Sequence, residues 1–510
     1  MSLELPAAQP GPITHMRIPS TPALLRCAPA LLACFTLLAG CTTLPTEESI
    51  ERQAAQAPDP AIPPPDDAAL KRAVGGDDIG FIREAVKLEA SIAHTPLVAG
   101  NKVTLLKDGP ATHEAQLEAI AHARHSVHLA IYMFTDNELG QRYVTALSAR
   151  ARAGVKVRII IDGLGAMDSV DHLRQELKDA GVEVREFNAV SPLKDVRLWR
   201  VTHRNHRKLL VTDGRAAFTG GINITDDYLA SPKGSGQGSG SGSSGGSFPS
   251  NGSKGGRPKA GWRDTQVRIE GPAVAQFQQL FLNYWKELGE PVPDDAKLMP
   301  QQPPRDDQFV RVVADRGEDL VDNVTAPVRM LTDFRGRHRT DMAPIYATYL
   351  SAIHAARERV WITQAYFAPN EDFIKELSQA AARGVDVRLL MPGGGDVKTM
   401  MYAAHAWYSR LLKAGLHLYE YQDTTVLHAK TMVIDGVWST VGSSNLDYRS
   451  FIFNDEANAI IIGRDFGRQM EAMFQDDLKS AREITREDWK KRPALDRVKE
   501  TFAYSFGHLL

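Results

Sequence analysis

The sequence predicts an α/β protein made of two tandem, related units, and three observations predict it. A His-x-Lys-x4-Asp stretch occurs twice, about 220 positions apart: His206-Arg207-Lys208 running to Asp213, and His428-Ala429-Lys430 running to Asp435. Apolar strands alternate with helices that close on Gly along both halves, the pattern of a sheet with helices on both faces. The 510 residues, 43% of them apolar, suffice for two cores of ordinary size.

The first 41 residues read as an address. From Met16, the expected start, Arg17 and Arg26 precede an apolar run from Ala28 to Ala39, which ends Leu38-Ala39-Gly40-Cys41. A positive start, a short apolar core and small residues before the cut make a secretory signal. The ending resembles a bacterial lipobox, which implies lipidation of Cys41 and an exported, membrane-anchored body. The apolar run is too short to span a bilayer comfortably. All three cysteines lie in this segment, so neither a disulfide framework nor a thiolate metal site is expected further on. Residues 42–75 follow, with Pro63-Pro64-Pro65, and read as a semi-rigid tether outside the fold.

The first unit is expected over 76–295 and the second over 296–510. Ala119-Ile120-Ala121-His122-Ala123-Arg124 and the strand from Val127 to Phe134 match Ala352-Ile353-His354-Ala355-Ala356-Arg357 and the strand from Val360 to Phe367. A helix ending at Gly154 or Gly384 leads to the strands Val155 to Ile161 and Val385 to Met391. A further helix ends Ala180-Gly181 or Ala414-Gly415 and leads to the strands that finish at Phe187 and Tyr421. Two insertions fall in the first half only. Ser191 to Thr202 carries Lys194, Arg197, Trp199 and Arg200; residues 231–261 are almost all Gly and Ser, with Lys233, Lys254, Arg257 and Lys259 but no acid. The second cannot bury a core and is expected to be disordered.

After each motif Asp comes a Gly, and ten residues after each Asp comes an Asn, Asn223 or Asn445. A nucleophile, a cation and an amide able to hold a phosphate thus recur in one order. One neutral imidazole can attack phosphorus and split a hard displacement into two easier ones. The other, protonated, can serve the leaving and entering oxygens. Lys208, Lys430, Asn223 and Asn445 can hold the non-bridging oxygens, one such donor being worth roughly 2.7–4 kcal/mol. No metal-ligand cluster or cofactor motif is evident. Asp213 and Asp435 sit before Gly at strand-to-turn positions, where a carboxylate often bonds local backbone.

On these residues the chain resembles the phospholipase D superfamily, and within it the bacterial cardiolipin synthases. Ala365-Tyr366-Phe367-x-Pro369, Leu427-His428-Ala429-Lys430, Gly442-Ser443-Ser444-Asn445-Leu446-Asp447 and Trp262-Arg263-Asp264-Thr265 carry the resemblance, which covers roughly Asn101 to Phe474. It implies two phospholipase D-like domains, each a mixed sheet flanked by helices, packed with pseudo-twofold symmetry so that both motifs form one site. It also implies that an acid orients each imidazole. Asp264 and Glu456 lie seven residues before Gly271 and Gly463, which assigns Asp264 to His206 and Glu456 to His428. By the same resemblance His206 is the nucleophile and His428 the acid/base, although the residues alone do not distinguish them. His203, Arg204, His354 and His405 are expected at the surface.

The function expected is phosphatidyl transfer from phosphatidylglycerol or a similar phospholipid, through a phosphohistidine, at an anionic membrane surface. Hydrolytic phospholipase D, a periplasmic nuclease and a non-catalytic phosphate-binding lipoprotein are the alternatives. Net charge −2, with basicity confined to the two insertions, argues against nucleic acid as a partner. The signal places the body outside the cytoplasm, and Thr42 after the Cys resembles lipoproteins sent to an outer membrane.

Overall fold

The computed structural model describes Leu44 and residues 65–76, 79–92, 95–167, 170–189, 203–230, 261–292, 298–317, 343–394, 398–422 and 425–505. The signal segment with Cys41, most of the tether, the insertion 191–202 and all but the last residue of 231–261 lie outside them.

In the first half, strands β1 (Val98–Lys107), β2 (Ser126–Ile131), β3 (Lys156–Asp162) and β4 (Glu183–Phe187) precede a two-residue β5 (Arg204–Asn205) and the hairpin β6 (Leu209–Thr212) and β7 (Ala216–Gly220). β8 (Thr265–Glu270) closes the half. Helices α3 (Asp108–His122), α4 (Glu138–Arg152), α5 (Val170–Asp179) and α6 (Val274–Glu287) connect them, after α1 (Asp67–Val74) and α2 (Gly80–Ile92). The second half repeats the series with β9 (Gln308–Asp315), β10 (Arg359–Gln364), a short β11 (Phe367–Ala368), β12 (Asp386–Pro392), β13 (His417–Tyr421), β14 (Lys430–Ile434), β15 (Trp438–Gly442), a short β16 (Leu446–Asp447) and β17 (Asn454–Ile462). β18 (Ala481–Ile484) is extra. Its helices are α7 (Pro344–Ala355), α8 (Glu371–Ala382), α9 (Lys398–Ala414), α10 (Arg464–Leu478), α11 (Arg486–Lys490) and α12 (Ala494–Ser505).

The helix signals have local causes. Asn137 and Asn370 cap α4 and α8, their side-chain oxygens accepting from Gly140 and Phe373 N–H. Gly154 and Gly384, just past the ends of the same helices, have φ of 86° and 93°, a conformation glycine adopts without steric penalty. The all-buried β2 and the nearly all-buried β3 pair in parallel, as continuous apolar runs do when both faces are covered.

The two units share a sheet. One 16-stranded sheet runs β18-β13-β12-β10-β14-β15-β17-β9-β1-β8-β7-β6-β2-β3-β4, with β5 attached to β17. Apart from β18, the order reads the same from either side of the β9/β1 seam, strand for matching strand. The seam is antiparallel, with Val98 opposite Val310 and Asn101 opposite Gln308. A single apolar cluster crosses it, joining Val267 and Ile269 to Val310, Ala459 and Ile461 under Phe281, Trp285 and Phe474 of α6 and α10.

The expected boundaries need one correction. Residues 67–74, taken as tether, form α1, and its Leu70, Ala73 and Val74 are buried in the core of the second half with Tyr346, Leu350 and Ile353 of α7. α2, expected with the first half, docks there too: Trp438 Nε1 donates to buried Glu89 at 2.8 Å, and Arg311 lies 3.8 Å away. A helix this short, directly after a proline run, gives little periodic signal. Among the described residues no helix is long and apolar enough to cross a membrane.

Candidate active site

Each motif opens a β-hairpin. Asp213-Gly214 and Asp435-Gly436 have positive φ at both residues (54° and 58°, 51° and 64°), the conformation of a type I′ turn. The Asp213 carboxylate accepts from the backbone N–H of Arg124, His125 and Ser126 at 2.7–3.1 Å. Asp435 does the same for Arg357, Glu358 and Arg359 at 2.8–2.9 Å. Both motif aspartates thus lock the hairpin to the strand beside it, at the end opposite the histidines.

At the other end the motifs cross the seam. β5 pairs in parallel with the start of β17, so that His206 N–H donates to Asp455 O at 2.9 Å. The matching bridge joins Arg263 to Leu427, and His428 N–H donates to Arg263 O at 2.8 Å. The residue after each acceptor is the acid. His206 Nδ1 lies 2.9 and 3.0 Å from the two carboxyl oxygens of Glu456, and His428 Nδ1 lies 2.8 Å from Asp264 Oδ2. The expected pairing within each half is therefore wrong: Glu456 serves His206 and Asp264 serves His428. The reason is topological, since β8 and β17 flank the seam and deliver their first residues to the opposite half.

The dyads are unlike in charge. Burial raises Glu456, and although the Lys208 ammonium and hydroxyls of Ser443 and Ser450 oppose this, its carboxyl stands at about 7. Burial also raises Asp264, but the His428 hydrogen bond and the Lys430 charge outweigh it and hold that carboxyl below its usual range. Burial, then Lys208, Lys430, His428 and Arg449, pushes His206 well down. His428 is lowered by burial and Lys430, with Asp264 pulling the other way. Lys208 is brought down to about 7, chiefly by burial. These shared influences put both histidines, both lysines and Arg449 in one buried basic site.

The Lys208 ammonium donates to His206 O at 2.6 Å and lies 5.2 Å from the Tyr132 ring, which packs edge-on against His206. Lys430 Nζ lies 3.0 Å from His428 Nδ1. Asn223 accepts from Met133 N–H through Oδ1 at 3.2 Å, which leaves its amide NH2 to donate. Buried Asn445 has no hydrogen-bond partner for Oδ1 among the described residues. Among those residues, no cluster of three His, Cys, Asp or Glu is placed to hold a metal ion.

Several members were not evident from the sequence. The Tyr228 hydroxyl donates to Asp264 Oδ2 at 3.2 Å and lies 3.0 Å from His428 Nδ1. Buried Arg263 is held by Asp477 and Asp108, which fixes the residue before Asp264. A Cβ on Gly221 would collide with both oxygens of Asp264. His203 and Arg204, expected at the surface, are buried: His203 Nε2 lies 3.1 Å from Asp455 Oδ1, and Arg204 donates to Asp162 at 3.2 Å. They were misread because a basic pair looks solvent-facing until its acids are located. His354 and His405, also expected at the surface, are half-buried: His354 Nδ1 lies 3.4 Å from buried Glu376, and His405 Nε2 lies 3.1 Å from Glu420. His405 also lines a cleft that reaches His428 between Tyr366, Met391, Met400, Tyr408 and Leu427.

Two histidines in one basic site, each oriented by an acid from the other half of a duplicated α/β chain, define an enzyme of the phospholipase D class. The family described as cardiolipin synthase, PLD-like domain, matches residues 117–233 and 349–478, one segment per half. The chain is 32% identical over 430 residues to a cardiolipin synthase of a Geobacillus species, covering 84% of this chain and 76% of that one. It is equally identical over 430 residues to cardiolipin synthase A of Pseudomonas fluorescens, covering 82% and 79%. The fold is similar to that of a phosphatidylserine synthase from Haemophilus influenzae, at a TM-score of 0.55 and 11% identity over 84% of this chain and 97% of that one. The chain belongs to the cardiolipin synthase family of phosphatidyltransferases.

Proposed function

We propose that the chain transfers a phosphatidyl group from phosphatidylglycerol to a hydroxyl of a second lipid, through a phosphohistidine at His206. The observation that carries this reading is the unlikeness of the two dyads. His206, the more strongly depressed imidazole, is neutral, and its Nδ1–H points at Glu456, which leaves the Nε2 lone pair for phosphorus. Burial and Lys430 lower His428 as well, but the ionised Asp264 pulls it back toward the imidazolium needed in a general acid.

In the first step the Nε2–P bond forms, the P–O bond to glycerol breaks, and His428 gives its proton to the departing oxygen. In the second, the acceptor hydroxyl loses its proton to His428 as its oxygen attacks phosphorus and the N–P bond breaks. Lys208, Lys430, Asn223 and Asn445 hold the non-bridging oxygens as charge develops on them. Purified protein incubated with phosphatidylglycerol vesicles is expected to release glycerol and form a lipid with two phosphates. Release of phosphatidic acid alone would overturn transfer in favour of hydrolysis.

The same proposal has the enzyme act outside the cytoplasm, tethered through acylated Cys41. Labelled palmitate is expected in the wild-type chain and not in Cys41→Ala; equal labelling of both would refute the anchor.

A further inference from the structure

The two halves differ in what stands beside each histidine. At His428 it is the cleft under α9. Met400, Ala404 and Tyr408 recur every four residues on that helix and so share the face that lines it. Met391 and Pro392 at the end of β12, and Val426 and Leu427 just before His428, line it from the sheet. Among the described lining residues none is an acid, a lysine or an arginine. His405 is turned to Glu420, and the Tyr408 hydroxyl donates to Met391 Sδ at 3.8 Å.

The matching positions beside His206 are polar and filled. Counted from each histidine and along the paired strands, Pro392, Val426 and Leu427 correspond to Asp162, Arg204 and Asn205, and Ala365 to Tyr132. Arg204 donates to Asp162 Oδ1 at 3.2 Å and to Asn188 O at 3.0 Å, while Asn205 N–H donates to Asp162 Oδ2 at 2.8 Å. All three side chains are buried, and the Tyr132 ring packs edge-on against His206 at 5.1 Å. Where the second half has an apolar cleft, the first has an ion pair and a phenol ring.

Chemistry says what the cleft receives. In-line displacement puts the departing and entering oxygens opposite His206, against His428. The group that carries the entering hydroxyl therefore lies on the side of the apolar cleft. Water has no apolar surface to bury there, and glycerol has little. A hydroxyl on an apolar body gains up to about fourfold in binding for each methylene buried, the equivalent of ~0.8 kcal/mol. Methionine side chains adapt to bodies of differing shape.

We infer that the cleft beside His428 is the acceptor subsite, which selects an alcohol with an apolar body over water, and that Met391, Met400, Val426 and Leu427 set this preference. The inference rests on the transfer reading and on its assignment of His428. The alcohol oxygen attacks phosphorus, its proton passes to His428, and the N–P bond to His206 breaks.

The test offers the full chain monomeric short-chain phosphatidylglycerol with ethanol, butanol or hexanol at equal concentration, so that no bilayer concentrates the longer alcohol. Phosphatidyl alkanol is measured against phosphatidic acid. Both products come from one phosphohistidine, so their ratio is insensitive to the amount of folded enzyme. From ethanol to hexanol the ratio is expected to rise at least about tenfold. Met400→Gln and Val426→Thr, both close to isosteric, should each cut that rise at least about threefold and enlarge the share of phosphatidic acid. Equal ratios for ethanol and hexanol in the wild type would overturn the inference, as would a rise that neither substitution changes. A preference for hexanol without a two-phosphate lipid from long-chain phosphatidylglycerol would sink lipid-to-lipid transfer and leave the subsite standing. A two-phosphate lipid with a flat alkanol series would do the reverse, and absence of any turnover would overturn both.

Discussion

Nδ1 of His206 lies 2.9 Å from Glu456 Oε1, and the two residues belong to opposite halves of the duplicated chain. This pair makes the first dyad titratable near neutrality. Glu456 stands at about 7, so it takes up a proton as pH falls through that value and ceases to support the developing imidazolium-like charge on His206. Lys208, also at about 7, loses its proton as pH rises. Transfer is therefore expected to peak near neutrality. Glu456→Gln should slow it by about 10²–10⁴-fold and flatten the acidic limb. Asp264→Asn, at a carboxyl held below its usual range, should slow the reaction yet keep that limb. Profiles of kcat/KM against pH decide it, and an unchanged acidic limb in Glu456→Gln would remove Glu456 from the role.

The roles of the two histidines separate on a substrate whose leaving group needs no proton. His428→Ala should lose about 10²–10⁴-fold with phosphatidylglycerol. With a nitrophenyl headgroup, it should instead accumulate a lipid adduct on His206, labile to acid and stable to alkali. Mass spectrometry of the peptide holding His206 reads this directly. An adduct on His428 in His206→Ala would reverse the assignment.

Gly221 is a steric test of the other dyad. Its Cα faces the Asp264 carboxylate so closely that a methyl group cannot be accommodated. Gly221→Ala should swing Asp264 away from His428 and cost about 10²-fold in kcat, the order expected for a displacement near 1 Å. Gly154→Ala, with open space around its Cβ position, should alter stability by about 1 kcal/mol and leave kcat unchanged. Full activity in Gly221→Ala would show that the dyad tolerates displacement.

Glu89 tests whether the N-terminal helices belong to the fold. Glu89→Ala deprives Trp438 of its acceptor and buried Arg311 of its counter-charge, and should destabilise the chain by about 3–5 kcal/mol in denaturant titrations. The folded carboxyl keeps its proton to about 7, whereas the unfolded one loses it near 4.5. Its folded pKa is thus raised, so stability falls as pH rises through that window. Glu89→Gln should remove this part of the slope. Melting unaffected by either substitution would mean that α2 docks only loosely.

The duplication, the alternation of strands and helices and the turns at Asp213 and Asp435 were legible because each rests on local spacing. Asp-Gly at a hairpin turn and Gly after a helix are short-range constraints that a linear reading captures. The partnership of acid and histidine was not legible, because it depends on a two-residue strand, β5, lying beside the start of β17 some 250 positions away. The same distance hid Arg204 and His203, whose acids Asp162 and Asp455 come from other strands. Tyr228 carries no motif at all; only its position beside Asp264 reveals it.

The palindromic sheet has a consequence for how such a site can change. Were the two halves separate identical copies, symmetry would force the same acid, and so the same proton affinity, on both histidines. Fusing the copies into one chain lifts that constraint. An aspartate can then stand on one side and a glutamate on the other, and a substitution on one side of the seam no longer has to suit both partners in the reaction.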